Sequence, residues 1–331
     1  MAGPPSAPGG GRALGVFLIV VSACGFGSGA LFAKPVYAAG LDWMTLLAWR
    51  FLIAAIASWL WLLARPGDRR ALRGLSRRRV LTLLALGVLY VTNSGTYFAA
   101  LQTVPASLAA LIVYVYPALV AVLALRWGRR LPGRRPWIAL GVATAGVVLA
   151  LGGIRPDQMP PLSGILLALA SPVIYSFWII SSARLSGERP TTADAVPPEA
   201  MEAAEETDPA PAAALMVTAT AAVYVVAATV TGRPTNPFAV PPEAWFGLVG
   251  VGLVSTAIAV QGFYAGTKRI GAAQAALIST VEPIYTITLA TILFHESLGP
   301  LQLAGGALVI GGVILAQTAP LPTRVAAPAT G

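Results

Sequence analysis

The stretch from residue 95 to residue 117 reads GTYFAALQTVPASLAALIVYVYP. It decides the fold because a related version of it occurs again later in the chain. The second version, GFYAGTKRIGAAQAALISTVEP, covers residues 262 to 283 and aligns Pro117 with Pro283. Each version is typical of the end of one helix, a tight turn and the start of the next. An internal duplication of this length predicts two related half-molecules.

The composition places the chain in a membrane. Only 11% of its residues are charged and its mean hydropathy is +0.75, whereas soluble domains are about 25% charged. Apolar runs of about 20 residues recur along the chain, and that length crosses about 30 Å of hydrocarbon as a helix. The sequence therefore predicts an all-α integral membrane protein that contacts the lipid bilayer on many sides.

The charge and the rare residue types exclude several function classes. The net charge of +9 comes from arginines in the loops between apolar runs, which is the distribution that orients membrane proteins and not a nucleic-acid footprint. The single cysteine, Cys24, excludes an intramolecular disulfide. The single histidine, His295, leaves little room for a metal site or a Ser–His–Asp triad. We therefore predict no nucleic-acid partner, no metal, no cofactor and no catalytic residue.

Ten transmembrane helices are predicted, as two five-helix repeats. A disordered leader (1–13) precedes the first repeat (14–153), the second repeat (154–318) contains an acidic linker (187–211), and a disordered tail (319–331) follows. The predicted spans cover about residues 14–33, 43–64, 80–101, 106–125, 137–153, 162–182, 212–231, 244–265, 272–293 and 301–318.

Loop charges predict that the second repeat is inverted. Arginines crowd the loops after the second and fourth spans, at 65–79 and 126–136, which places the N-terminus inside. In the second half the bias changes sides, because the uncharged turn at 102–105 corresponds to Lys268 and Arg269. Both termini and the acidic linker are then cytoplasmic, in a multi-pass protein of the cell membrane. An inverted repeat presents two oppositely facing half-sites, which is typical of secondary transporters.

The duplicated hairpin and two single positions also resemble a known family. The hairpin motif is Tyr97-Phe98-Ala99 followed by Pro105-Ala106-Ser107, and the other positions are Arg50 in the second span and Glu296 after the ninth. These residues resemble the EamA-type permeases of the drug/metabolite transporter superfamily across nearly the whole chain. The resemblance implies a substrate–proton or facilitated transporter of a small molecule with a central cavity, and names no cargo. The chain departs from the pattern at Phe26, where tryptophan is common, and in its longer acidic linker.

Glu282 is the sharpest candidate for function. It lies about halfway along the ninth predicted span, and a carboxylate at that depth is costly. It is interpreted as a proton-coupling group or a receptor for a cationic substrate group, or else as a structural acid paired with Arg50 or hydrogen-bonded within the bundle. Its counterpart is Tyr116, so the two halves differ at this position. Pro117 and Pro283 follow, and each is either a hinge or a tolerated kink.

Other side chains are candidates for the lining of a substrate cavity. Arg50 either snorkels outward or pairs with a carboxylate on the substrate. Lys34 is interpreted as an anchor at the outer interface. The remaining candidates either line the cavity or join helices, and they are Asn93 and Tyr97 on one face of the third span, Tyr175 and Trp178 on one face of the sixth, and Gln261 and Tyr264 in the eighth.

These patterns predict a permease that moves a small, amino-acid-like metabolite outward by alternating access, driven by proton exchange or by the gradient of the metabolite. A passive facilitator of the same fold remains an alternative. An intramembrane enzyme and an accessory subunit are weaker alternatives. The oligomeric state and the cargo are not encoded in any motif that we identify.

Overall fold

A computed structural model of the chain describes residues 10–126, 134–154, 159–185, 209–270, 275, 278–296 and 298–317. Within these residues the chain is helical and contains no β-strand, which confirms the predicted all-α class. The α-helices, in chain order, are α1 (Gly10–Ala38), α2 (Trp43–Ala64), α3 (Pro66–Arg73), α4 (Arg77–Leu101), α5 (Ala106–Val113), α6 (Tyr116–Arg126), α7 (Arg135–Gly152), α8 (Leu162–Leu185), α9 (Pro209–Val230), α10 (Ala244–Gly252), α11 (Ala259–Ile270), α12 (Val281–Phe294) and α13 (Pro300–Gln317).

Most of these helices are suited to a bilayer. In the described part of the chain, six are long and apolar enough to cross a membrane: α1, α2, α4, α8, α9 and the continuous run from α10 to α11. Four shorter apolar helices of 10–17 residues are Ala106–Val120, Trp137–Gly152, Val281–Phe294 and Pro300–Ala316. The count of ten spans stays a prediction. The C-terminal tail and most of the leader and the acidic linker lie outside the described residues.

The first helix is longer at both ends than the sequence predicts. It begins at Gly10, inside the predicted leader, and it continues through Pro35 to Ala38. A helix that has already formed gains length at little cost, which explains the early start. Near its other end, the Lys34 ammonium donates hydrogen bonds to the carbonyls of Leu101 and Val104. The helix therefore continues past residue 33, where the predicted span ends, because Pro35 is accommodated close to the end of a helix that is fixed by its neighbours.

Two helices break immediately before the duplicated prolines. The fourth predicted span is divided into α5 and α6 by a turn at residues 114–115, two residues before Pro117. The ninth has the same interruption at residues 279–280, before Pro283 in the first turn of α12. Proline removes a backbone donor and restricts the residue before it, so a break at this point has a local cause in both copies.

The contacts between helices connect the two halves of the chain reciprocally. The first helix of the first half, α1, packs against α11 of the second half. The first long helix of the second half, α8, packs against α4 of the first half. The contacts α2–α9 and α7–α13 join helices that occupy corresponding places in the two halves. This reciprocity is what two related halves would produce. The inverted repeat itself stays a prediction.

Glycines bring the backbones of α7 and α13 together. A Cβ atom placed on Gly146 would lie 2.5 Å from the carbonyl oxygen of Gly305, and a Cβ atom on Gly305 would lie 2.5 Å from the carbonyl oxygen of Gly146. Lipid chains are as apolar as leucine, so close backbone packing takes over the role that hydrophobic burial has in water. This contact requires glycine at both positions.

Replacing Gly146 with alanine should therefore destabilise the protein. The new methyl group would also lie 2.8 Å from the amide nitrogen of Val309, and overpacking of this kind costs about 1–3 kcal/mol. The matched control is Gly141→Ala in the same helix, where a Cβ atom meets nothing within 4 Å and alanine gains about 0.5–1 kcal/mol of helix stability. Thermal unfolding in detergent measures both variants, and equal shifts would contradict the proposed packing.

Candidate functional site

Arg50 lies inside the protein. Only 7% of the residue is exposed, and its Nε donates a hydrogen bond of 2.9 Å to the Oγ1 of Thr256. The guanidinium carbon lies 5.1 Å from the ring centroid of Phe51 and 4.6 Å from that of Phe98, within the range of cation–π attraction. The interpretation that Arg50 snorkels outward is wrong, because these rings and Thr256 hold the guanidinium inside.

A change of helical pitch accompanies the contact between Thr256 and Arg50. Leu253–Ile258 form a π-helical turn between α10 and α11. The Oγ1 of Thr256 donates to the carbonyl oxygen of Val251 at 2.9 Å and accepts from Arg50. We did not predict this turn from the sequence. The available signal was the pair of glycines at 250 and 252, which weakens the helix just before it.

Glu282 lies in the first turn of α12, directly after the helix break. The residue is half-buried, and its carboxylate interacts electrostatically with the phenols of Tyr97, Tyr114 and Tyr116. Among the described residues no ion pair joins it to Arg50. The alternative in which Glu282 is a structural partner of Arg50 is therefore wrong.

The two broken helices meet at their breaks. The hydroxyl of Tyr114, in the break between α5 and α6, donates to the carbonyl oxygen of Ser279, in the break before α12. The same carbonyl oxygen also accepts from the backbone amide of Glu282 at 3.0 Å. The hydroxyl of Tyr114 is therefore its second donor, and it joins the two breaks across the bundle. Sequence analysis missed Tyr114 as a site residue, although its position just before Pro117 was the signal.

Aromatic rings connect this crossing to the region around Arg50. Tyr175 and Trp178 stack with centroids 6.0 Å apart, as their spacing on one helix face predicts. We call the connected rings the aromatic row. In order it consists of Tyr114, Tyr116, Tyr175, Trp178, Tyr90, Phe51 and Tyr224, with neighbouring centroids 4.7–6.1 Å apart.

The other predicted lining residues divide between two roles. Asn93 is buried, and its Oδ1 accepts a hydrogen bond of 3.4 Å from Ser171, so it helps to join α4 to α8. Tyr97 interacts electrostatically with both Glu282 and Arg50. Gln261 is half-buried on α11, and no described contact brings it to either charge. The side chain of Tyr264 lies outside what the structure describes.

At one end of the bundle a lysine and a glutamate hold the turn between α4 and α5. The Nζ of Lys34 donates to the carbonyl oxygens of Leu101 (3.1 Å) and Val104 (2.8 Å). The carboxylate of Glu296 accepts from the amides of Ala106 and Ser107, both at 2.9 Å. The lysine lies at the C-terminal end of α4 and the glutamate at the N-terminal end of α5, which are the positions where the helix dipole favours a positive and a negative charge, respectively. Lys34 is therefore a structural clamp in addition to any role at the interface.

A cavity of about 390 Å³ opens beside this turn. Its lining includes Pro105, Ser107, Glu296 and Gln302. Both oxygens of Glu296 are already occupied by α5, since Oε2 also accepts from the hydroxyl of Ser107 at 2.7 Å. The cavity is thus bordered by a satisfied carboxylate and not by a free one.

The long apolar helices, with charged and phenolic groups enclosed between them, define a multi-pass helical membrane protein. The model of the EamA-like transporter family matches residues 13–152 and 197–318, so the chain belongs to that family. Two curated relatives have transporter names. An uncharacterized transporter of Archaeoglobus fulgidus is 24% identical over 71% of this chain and 76% of its own length. The uncharacterized transporter YcbK of Bacillus subtilis is 27% identical over 92% of this chain and 91% of its own.

A solved structure shows the same fold. It is described only as "Crystal structure of protein", and it matches with a TM-score of 0.58 at 20% identity, over 94% of this chain and 98% of its own. The resemblance inferred from the duplicated hairpin is confirmed by the family match. Family and relatives together identify a membrane transporter.

Replacing Glu296 with glutamine should weaken the attachment of α5. Glutamine keeps the shape but loses the charge and one acceptor oxygen, and hydrogen bonds to charged groups contribute about 1.5–3 kcal/mol. The control is Glu243→Gln, because Glu243 also precedes a helix but its side chain makes no capping hydrogen bond. Thermal unfolding in detergent should show a clear loss for Glu296→Gln and almost none for Glu243→Gln. Equal stability of the two variants would show that the cap contributes little.

Proposed function

We propose that the protein is a secondary transporter that carries a small, amino-acid-like organic solute across the cell membrane. Transport proceeds by alternating access, export is the net direction, and exchange of a proton at Glu282 drives it. Substrate, coupling and direction are all part of the proposal.

The observation that carries this proposal is a pair of opposite, separated charges in the interior. Arg50 and Glu282 both interact electrostatically with Tyr97, yet no ion pair joins them in the described structure. Ionisable groups inside a membrane are costly and are usually retained for function. A solute with both an amino and a carboxylate group is complementary to such an arrangement.

The broken helices support alternating access. Pro117 and Pro283 lie just after two breaks that touch each other through Tyr114 and Ser279. Discontinuous helices at the interface between two repeats are a common place for substrate and ion sites in transporters. Motion at these breaks would change the access to Glu282 without unfolding either helix.

The coupling assignment is tested with proteoliposomes that contain a pH-sensitive dye. Pools of amino acids, amines, nucleosides and organic acids are added outside, and labelled uptake is measured in parallel. We expect one pool to cause proton flux in the unmodified protein, and Glu282→Gln to abolish it because a neutral amide cannot exchange a proton. The control is the exposed Glu243→Gln, which should behave like the unmodified protein.

The outcomes of this experiment separate the alternatives. Uptake without proton flux in the unmodified protein would identify a passive facilitator and leave Glu282 a structural group. Full proton coupling in Glu282→Gln would show that a residue other than Glu282 exchanges the proton. If no pool produces either proton flux or labelled uptake, the proposed substrate class is wrong.

The proposed orientation places both termini in the cytoplasm. Reporter domains that are active on only one side of the membrane, fused separately to the N-terminus and the C-terminus, should both report the cytoplasm. The physical reason is the concentration of arginine in the loops on that side. A fusion between α4 and α5, near residue 103, is the opposite-side control. A C-terminus outside the cell would overturn the inverted arrangement.

A further inference from the structure

Arg50 is a buried cation whose charge no carboxylate of the described residues neutralises. Its electrostatic neighbours are the phenols of Tyr37, Tyr90, Tyr97 and Tyr224, and its hydrogen-bond acceptor is the neutral Thr256. A buried charge without a counter-ion is strongly unfavourable. The rings of Phe51 and Phe98 offset only part of that cost. The guanidinium can therefore accept an anionic partner that the described part of the chain does not supply.

The free part of the guanidinium has the shape of a carboxylate receptor. Thr256 occupies Nε, while the two terminal amino groups make no hydrogen bond to the described part of the chain. Those two groups present parallel N–H donors in one plane, which matches the two oxygens of a carboxylate. Phe51 and Phe98 flank the guanidinium at 5.1 and 4.6 Å. Aromatic rings at these distances favour a flat ligand group.

A second unsatisfied donor lies near Phe98, one of these two rings. Ser255 is 1% exposed, and its Oγ has no hydrogen-bond partner in the described structure. A Cβ atom on Gly29 would lie 3.6 Å from this Oγ and 3.7 Å from the tip of Phe98, so the hydroxyl lies near the ring that covers Arg50. Ser255 also belongs to the π-helical turn, and such turns occur frequently at functional sites.

We propose that Arg50, with Ser255 as an additional donor, forms the subsite for the carboxylate of the transported solute. This rests on the proposed transport function and specifies its substrate class. A single guanidinium balances one negative charge, which suits a carboxylate better than a phosphate dianion. Because Tyr97 is an electrostatic neighbour of both Arg50 and Glu282, the amino end of an amino acid would lie toward Glu282.

The first test uses the unmodified protein and needs no substitution. Thermal stabilisation in detergent is titrated with the common L-amino acids, with the carboxamide of each, and with inorganic phosphate. At least one amino acid should bind, and its carboxamide should bind about 10- to 100-fold more weakly, since it lacks the charge-assisted pair. Equal affinity for an acid and its amide, binding of phosphate alone, or no binding at all would overturn the subsite.

The second test compares variants by their discrimination between acid and amide. Arg50→Gln should reduce the ratio of affinities to about one, and Arg50→Lys should restore part of it, because lysine keeps the charge but lacks the paired donors. Ser255→Ala should reduce the ratio by a smaller factor. The control is Arg233→Gln, which removes an exposed arginine paired with Asp42 and should leave the ratio unchanged. A purely structural Arg50 would lower stability without changing the ratio.

Failure of the subsite and failure of the transport function are distinguishable. If proteoliposomes take up a carboxylate-free amine as readily as the matching amino acid, the subsite is overturned while the transporter stands. If an amino acid binds with the expected discrimination but never crosses the membrane, the transport function is overturned while the subsite stands. If Arg50→Gln does not fold, as judged by size-exclusion chromatography, the unmodified protein and Arg50→Lys decide the question.

Discussion

The fold depends on the constraint that backbone polar groups inside a bilayer must find partners within the protein. Two helices are broken near the middle of the bundle, and a break exposes carbonyls that an intact helix would satisfy. The carbonyl oxygen of Ser279, in one break, accepts from the amide of Glu282 and from the hydroxyl of Tyr114 in the other break, so a hydrogen bond joins the two interruptions. The same crossing contains Glu282 and the first rings of the aromatic row, and the candidate site is thus built around a place where regular structure ends.

Much of this architecture could be predicted from the sequence, because hydropathy, loop charge and duplication are properties of long segments. The helical class and the family followed from such patterns. The breaks were indicated by Pro117 and Pro283, which act on their immediate neighbours. Partners across the bundle could not be predicted, since a single chain contains no signal for which distant atoms meet. Thr256 as the acceptor for Arg50, and the π-helical turn that contains it, are examples.

Arg50 and Glu282 show where local reasoning gave the wrong alternatives. An arginine seven residues into a predicted span is often free to reach water, and a buried acid is often paired with the nearest buried base. Here the rings of Phe51 and Phe98 retain the guanidinium, and the acid faces phenols. The duplication places Tyr116 where the second half has Glu282, so only one half contributes a charge at the crossing. A site with one acid and one base is asymmetric, although the hairpin sequence around it occurs in two related versions.

The short helix α5 links the site to the end of the bundle. Its N-terminal amides are held by Glu296, and the hydroxyl of Tyr114, the residue that follows its last turn, is bound to Ser279. Both partners belong to the second half of the chain, although α5 belongs to the first. Ala106 to Ile112 are buried along its whole length, and α5 packs against α12 and α8 of the second half as well as against α4, its neighbour in sequence. The ends of α5 are the turn that Lys34 holds and the break at Tyr114, so a movement of α5 with the second half would change the backbone at these two places. The break at Tyr114 lies at the aromatic row, and Glu282 follows Ser279 by three residues. The short helix α5 therefore connects the charged site directly with the turn at the end of the bundle.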